Sequence, residues 1–318
     1  MSTKIKFRNN FPPLITKTVL LKEKDSLKIK LVPKKNIISS NHNNVVFNNN
    51  IGEILKELDD LVGLELIKKF IYELYAFVEI QKKREKKNLA TEPLVLHMIF
   101  SGNPGTGKTT VARLISKLFK ELGLLEKGHI VECERADLVG EYIGHTANKT
   151  REIIKKALGG VLFIDEAYSL ARGGEKDFGK EAIDTLVKAM EDHKDDLILV
   201  LAGYKDEMDN FISTNPGIRS RFPIHITFPD YSIDELVSIG ELMLTKRQYV
   251  FTPESKVAFK RIIQKMILKH PYSGNARMVR NIIERTIRKQ AVRLYKQPNP
   301  SREDLVKILD KDLDENNF

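Results

Sequence analysis

The sequence has no tryptophan and one cysteine, Cys133, among its 318 residues. A single thiol excludes an internal disulfide framework and any cysteine-based zinc cluster. Its place in the apolar-alternating run His129 to Glu134 reads as a buried structural thiol, not a nucleophile. Long apolar runs are also missing. No stretch approaches the ~20 consecutive apolar residues a membrane helix needs. The start, Met1-Ser2-Thr3-Lys4, is not followed by the apolar core of a signal peptide. A soluble cytoplasmic protein is expected. Charge of one sign is lacking too. Lys and Arg number 53 against 43 Asp and Glu, a net of +10. Yet the lysines come as scattered pairs, such as Lys68-Lys69, Lys82-Lys83 and Lys155-Lys156, with glutamates between them, the pattern of solvated helix faces. Neither nucleic acid nor a membrane is the expected partner.

What is present is a phosphate-binding pattern. Gly102-Asn103-Pro104-Gly105-Thr106-Gly107-Lys108-Thr109 fits G-x-x-x-x-G-K-[ST]. The apolar run Val95 to Phe100 before it reads as a buried strand, and Val111 to Phe119 after it as a helix. A chance glycine turn would lack that setting. The glycines let successive N–H groups converge on anionic oxygens. A helix beginning near Lys108 turns its positive end to the same point. Lys108 is expected to reach the β- and γ-phosphates of ATP, and the Thr109 hydroxyl to ligate Mg²⁺. Asn103, Pro104, Thr106 and Thr110 complete the set expected around the nucleotide.

Residues 1–50 differ from the rest: Lys17 to Val32 has the short alternation of a hairpin, and Asn36 to Asn50 the composition of a linker. Helical spacing dominates 51–87. Further strands are expected at His129 to Glu134, Val161 to Asp165, Leu197 to Gly203 and His225 to Phe228, with helical patterns between them. That alternation predicts an α/β fold, a five-stranded parallel sheet covered on both faces. From 231 to 318 only helical periodicity is evident, so the expected units are 1–50, 51–230 and a small helical lid over 231–318.

The strand Val161 to Ile164 runs into Asp165-Glu166, which lies at the sheet edge where α/β ligands bind. An Asp-Glu pair there can simply cap a turn. Following a phosphate loop, it predicts Asp165 beside Mg²⁺ and Glu166 as the base that polarises the attacking water.

Phosphate loop, Asp-Glu strand and helical lid together resemble the AAA+ ATPases over residues 55 to about 290. The resemblance implies ATP hydrolysis tied to remodelling of a macromolecule and assembly into a ring, a hexamer by analogy. It also implies adenine contact at Val62 and Gly63, within Leu61-Val62-Gly63-Leu64. An arginine from Asn215-Pro216-Gly217-Ile218-Arg219-Ser220-Arg221-Phe222 is implied to enter the neighbouring subunit's site. Arg221 matches better, and Arg219 reads as a surface ion pair. Arg277, in Gly274-Asn275-Ala276-Arg277, is implied to reach the γ-phosphate from the same chain. One position departs from the family pattern: Ala202-Gly203-Tyr204 stands where many relatives carry a polar asparagine.

The strings Arg135 to Thr146, Phe163 to Leu170 and Gly173 to Ala182 are similar to those of the red-type Rubisco activases and the stage V sporulation proteins K, the latter branch being the nearer. In such a motor Tyr142-Ile143-Gly144 would be a pore loop gripping an extended polypeptide, with Arg172 to Phe178 as a second channel loop. Packing of Tyr142 beneath its loop is the alternative. A protein substrate remodelled in sporulation is the implied function. Rubisco activation and DNA processing of the clamp-loader or branch-migration type stand beside it.

Overall fold

In a computed structural model of the chain, residues 19–23, 26–30, 49–91, 94–142, 144–173, 177–269 and 274–313 are described. The chain divides into residues 1–45 and residues 46–318. In the first unit, β1 (Val19–Glu23) and β2 (Ser26–Lys30) pair antiparallel from Val19↔Lys30 to Glu23↔Ser26, the hairpin expected there. The asparagine-rich stretch is outside the described residues up to 48. Its last two residues are not linker, because they begin helix α1 (Asn49–Asp59).

The second unit carries its apolar residues with the periods that its elements need. The expected single helical region is broken in two, α1 and α2 (Glu65–Glu85), where Gly63 and Leu64 both turn left-handed. β3 (Met98–Gly102) follows, then α3 (Lys108–Glu121), β4 (Ile130–Cys133), α4 (Arg135–Leu138), α5 (His145–Ala157) and β5 (Gly160–Ile164). A 3₁₀ turn at Ala167–Ala171 leads to α6 (Gly179–Asp192), β6 (Leu197–Gly203), α7 (Lys205–Thr214), α8 (Pro216–Arg221) and β7 (Ile224–Phe228). The strands form one parallel sheet in the order β4-β5-β6-β3-β7.

Side chains alternate across this sheet. Met98, Phe100, Phe163 and Val200 pack with α1, α2 and α3 on one face, and Ile99, Leu162, Ile164 and Leu201 with α6 and α7 on the other. Full burial of such a side chain contributes roughly 2 kcal/mol, so the central strands are fixed by two cores at once. All residues of β3, β5 and β6 are buried, whereas the edge strands β4 and β7 are only partly so. Cys133 at the end of β4 is buried, and burial pushes its thiol up to about 12, as befits a packing residue.

The rest folds as α9 (Ile233–Thr245), α10 (Pro253–Lys269), α11 (Asn275–Tyr295) and the short α12 (Arg302–Val306), around a core of their own. This lid is helical except for one feature that periodicity missed. β8 (Val250–Phe251) and β9 (Lys307–Ile308) pair in parallel over two residues, too short for any alternation to register. Arg293 donates to both oxygens of the buried Asp312 at 2.7 and 2.9 Å, which ties the turn after β9 to α11.

Candidate nucleotide site

Parallel pairing puts the carboxyl ends of β3, β5 and β6 on one edge of the sheet. The ladders bring Ser101 opposite Gly203 and Ile164 opposite Leu201. The loop after β3, the acidic pair after β5 and the turn after β6 therefore converge on a cleft of about 340 Å³. Larger depressions exist. One of about 1000 Å³ lies between α5 and α6, but its walls mix acids and bases without a focus, and it is remote from Asp165 and Glu166.

The expected strand Val95 to Phe100 is displaced by a few residues. Its ladder begins at Met98, Val95 is half exposed, and Gly102 closes the strand. Gly105 and Gly107 have φ of 74° and 100°, and Gly107 is the residue from which α3 starts. Only glycine takes that conformation without strain. Inside the loop the Thr106 hydroxyl donates to Asn103 O at 2.8 Å. Lys108 Nζ spans the loop, donating to Gly102 O at 2.8 Å and Asn103 O at 2.9 Å. Burial lowers the Lys108 pKa from the usual lysine value; Asp165, Asp230 and Glu166 oppose that shift and Arg277 adds to it. The loop, the acidic pair and the lid accordingly share one cleft lining.

Asp165 N–H donates to Cys133 O at 3.0 Å, and Asp165 Oδ1 accepts from Glu166 N–H at 3.0 Å. Glu166 itself is left-handed, with φ 48° and ψ 42°. A non-glycine residue held there is strained by about 1–3 kcal/mol, and such strain gathers at functional sites. Nothing in the sequence announces it. Lys108, Thr109, Thr110, Asp165, Glu166 and Arg277 all line the cleft, with Gly102, Pro104, Gly105 and Gly107. Gly203 and Tyr204 line it too, so the position that departs from the family pattern does face the site. Three contributors escaped the sequence reading: Arg113, which pairs with Glu132 at 2.6 Å, Arg280 and Ala276. Arg280 lies one helical turn beyond Arg277, and that i,i+3 spacing was the available signal.

The remaining expected residues lie elsewhere. Asn103 and Thr106 do not line the cleft: the Thr106 hydroxyl bonds within the loop, and the Asn103 amide donates outside it to Asp230. Val62 and Gly63 do not line it. Val62 packs against the lid core, while Leu64 and Tyr231 come up against Gly107. Arg221 is on α8, ahead of β7, at the sheet edge opposite the cleft. It pairs there with Glu191 and donates to Gly217 O at 3.2 Å. Arg219 is exposed, with no ion pair among the described residues. Tyr142 is 65% exposed, its ring edge-on to His145 at 5.4 Å, and Gly144 is left-handed at the head of α5. Tyr142 is thus not packed beneath its loop. Ile143 lies outside the described residues, as do 174–176 of the second loop. Both ends of that second loop are nonetheless held: Arg135 donates to Asp177 Oδ1 at 2.6 Å and to Ser169 O at 2.7 Å. The Arg135 guanidinium holds the Asp177 carboxyl below the usual range.

Comparison with known proteins gives this site its family. Residues 98–230 match the model described as ATPase family associated with various cellular activities (AAA), and residues 232–318 match the AAA lid domain. The chain is 56% identical to stage V sporulation protein K of Bacillus subtilis over 265 residues, 82% of each chain. The chain belongs to the AAA+ ATPases. Other AAA+ relatives include the chloroplastic ribulose bisphosphate carboxylase/oxygenase activase of Cyanidioschyzon merolae, 46% identical over 83% of this chain and 91% of that one. Protein CbbX of Cereibacter sphaeroides is 50% identical over 76% of this chain and 79% of that one. Among solved structures, a point variant of Thermotoga maritima RuvB aligns with a TM-score of 0.53 at 21% identity, covering 80% of this chain and 69% of that one. That likeness is one of fold. As an AAA+ ATPase the chain binds and hydrolyses ATP, and the cleft is the place in it where phosphate-binding loop, acidic pair and lid meet. Among the described residues no helix is long and apolar enough to cross a membrane.

Proposed function

We propose that this ATPase assembles into a ring, a hexamer by analogy, and uses ATP to pull on a protein substrate that passes Tyr142-Ile143-Gly144 in the central channel. The carrying observation is the exposure of Tyr142 between two flanks that are tied to each other. Lys149 Nζ donates to Ala136 O at 2.6 Å, Thr150 Oγ1 to Leu138 O at 3.0 Å, and Gly140 N–H to Thr146 Oγ1 at 3.0 Å. A large exposed aromatic ring is suited to gripping unspecific polypeptide.

In this reading the loop amides and Lys108 hold the β- and γ-phosphates, and Arg277 reaches the γ-phosphate from the lid. The Thr109 hydroxyl and Asp165 carboxylate are hard oxygen donors that fit Mg²⁺, which typically takes only one or two protein carboxylates together with substrate phosphates. When bound, Mg²⁺ would neutralise phosphate charge. Glu166, which lines the cleft, takes the proton of the attacking water. Val62 and Gly63 would contact adenine, as the family resemblance implies, from outside the cleft lining. Arg221, remote from its own cleft, would complete a neighbour's, with Arg219 beside it at the same edge. Residues 51–230 and 231–318 would act as core and lid, and residues 1–50 as an extension outside the motor.

Similarity to stage V sporulation protein K favours a cytoplasmic role in sporulation. Similarity to Rubisco activase keeps activation of that enzyme as the second reading. A DNA-processing role has only the RuvB-like fold behind it. Tyr142→Ala is the direct test. Nucleotide binding should stay within about twofold of the parent while substrate-dependent work is lost. Unchanged remodelling by that variant would remove the pore loop from the proposal, and strong stimulation of the parent ATPase by DNA would overturn the protein-substrate reading.

A further inference from the structure

A phosphate loop turns its N–H groups toward the phosphates, so its carbonyls face the other way. Here every carbonyl from Gly102 to Thr106 has a donor. Lys108 takes Gly102 O and Asn103 O, as described above. The next three are taken by the lid and the junction before it. Asn275 Nδ2 donates to Pro104 O at 3.3 Å, Ala276 N–H to Gly105 O at 3.1 Å, and the Tyr231 hydroxyl to Thr106 O at 3.1 Å.

Asp230 ties the two sides together. Its carboxylate accepts from Asn103 Nδ2 at 3.0 and 2.9 Å and from Asn275 Nδ2 at 2.7 Å. Asn275 Oδ1 accepts from Tyr231 N–H at 3.0 Å, so both ends of this amide are engaged. Asn275 is buried, and its φ of 45° is left-handed. Asparagine tolerates that conformation better than other side-chain-bearing residues. Closeness enforces the arrangement: a Cβ at Gly105 would run into Gly274 O and Arg277 N. None of these contacts is apolar packing. They join the back of the loop to the first turn of α11, the turn that carries Arg277.

We propose that Asn103, Asp230 and Asn275 are positioning residues, a polar latch that sets where Arg277 stands over the phosphates and makes loop and lid move together. Rotation of the loop's peptide planes around a triphosphate displaces the outward carbonyls, and the latch passes that displacement to α11. This inference rests on the reading of Arg277 as a nucleotide contact. It does not depend on ring assembly or on the pore loop, because binding to one chain tests it.

The experiment uses the full chain and fluorescent mant-ATP and mant-ADP titrations. Asn275→Gly keeps the left-handed backbone and removes the amide; Asp230→Ala and Asn103→Ala remove the other two partners. Asn275→Gly and Asp230→Ala are each expected to weaken mant-ATP binding by about tenfold, the size of a lost hydrogen bond to a charged group. mant-ADP should be affected less. In an Arg277→Gln background the same substitutions should change affinity by less than about twofold, since a positioning residue has nothing left to position. Equal losses with and without Arg277, or no loss at all, would falsify the latch. Parent-like mant-ATP binding by Arg277→Gln alone sinks the underlying reading of Arg277, and the latch with it. Should Asp230→Ala not fold, Asn275→Gly and Asn103→Ala give the same decision.

Discussion

At the scale of single residues, the cleft holds two carboxylates whose neighbours differ. Asp165 is half-buried at the strand end, and Glu166 stands exposed on a left-handed backbone. Glu166→Gln keeps that shape and removes the base. Hydrolysis is expected to slow by about 10²-fold or more with ATP affinity within about twofold of the parent, as single-turnover rates and titration would show. Parent-like hydrolysis would exclude Glu166 as the base. Lys108→Ala should instead abolish measurable ATP binding by the same titration, since it removes the half-buried cation that is bonded into the loop itself. Arg280 belongs to the same account. It lines the cleft and has no ion pair among the described residues, unlike Arg113, which is held by Glu132. Arg280→Gln is expected to weaken ATP by about fivefold, an effect that shrinks with added salt because the side chain is exposed. A salt-insensitive loss would point to altered folding instead.

Among the elements, the reading from sequence succeeded where two signals coincided. The loop after β3 was legible because a motif and its strand-helix setting agreed, and β5 because an apolar run ended in Asp165-Glu166. Where one signal stood alone, boundaries moved. Val95 and His97 look like strand residues, yet the ladder starts at Met98. His97 is instead a buried acceptor: its Nδ1 takes the Leu199 N–H at 3.1 Å, and its ring lies 5.8 Å from Phe222. Burial pushes its pKa down to about 4 from 6.5. The unfolded chain therefore takes up the proton first. The stability contributed by the neutral ring is complete above pH 6.5 and is lost as pH falls toward 4, roughly 3 kcal/mol in all. Thermal melts across that window should show the parent losing stability faster than His97→Asn, which can still accept the bond but does not titrate. Parallel pH profiles would refute this. The latch residues, the left-handed Glu166 and the β8–β9 pairing were illegible for a shared reason. Each depends on groups brought together from distant parts of the chain, and no local period encodes that.

For the whole molecule, the arrangement of Arg221 makes a prediction about concentration. The guanidinium is engaged by Glu191 at the sheet edge away from its own cleft, on a surface it can offer to a neighbour. ATPase activity per chain is expected to rise with protein concentration. Arg221→Ala should cost about 10³-fold in hydrolysis while ATP still binds. A dilute monomer as active as the concentrated protein would rule out a shared site. The strand order has a further consequence, one of timing. β3 bears the phosphate loop, yet its two neighbours, β6 and β7, are the last strands in the sheet to be synthesised. A chain leaving the ribosome therefore has no sheet partner for this apolar strand until β6 is complete at residue 203, and one edge of it stays open until residue 228 has emerged. Gly105 gains its partner from Ala276 later still. During synthesis the contacts between the phosphate loop and α11 are consequently the last parts of the site that can form.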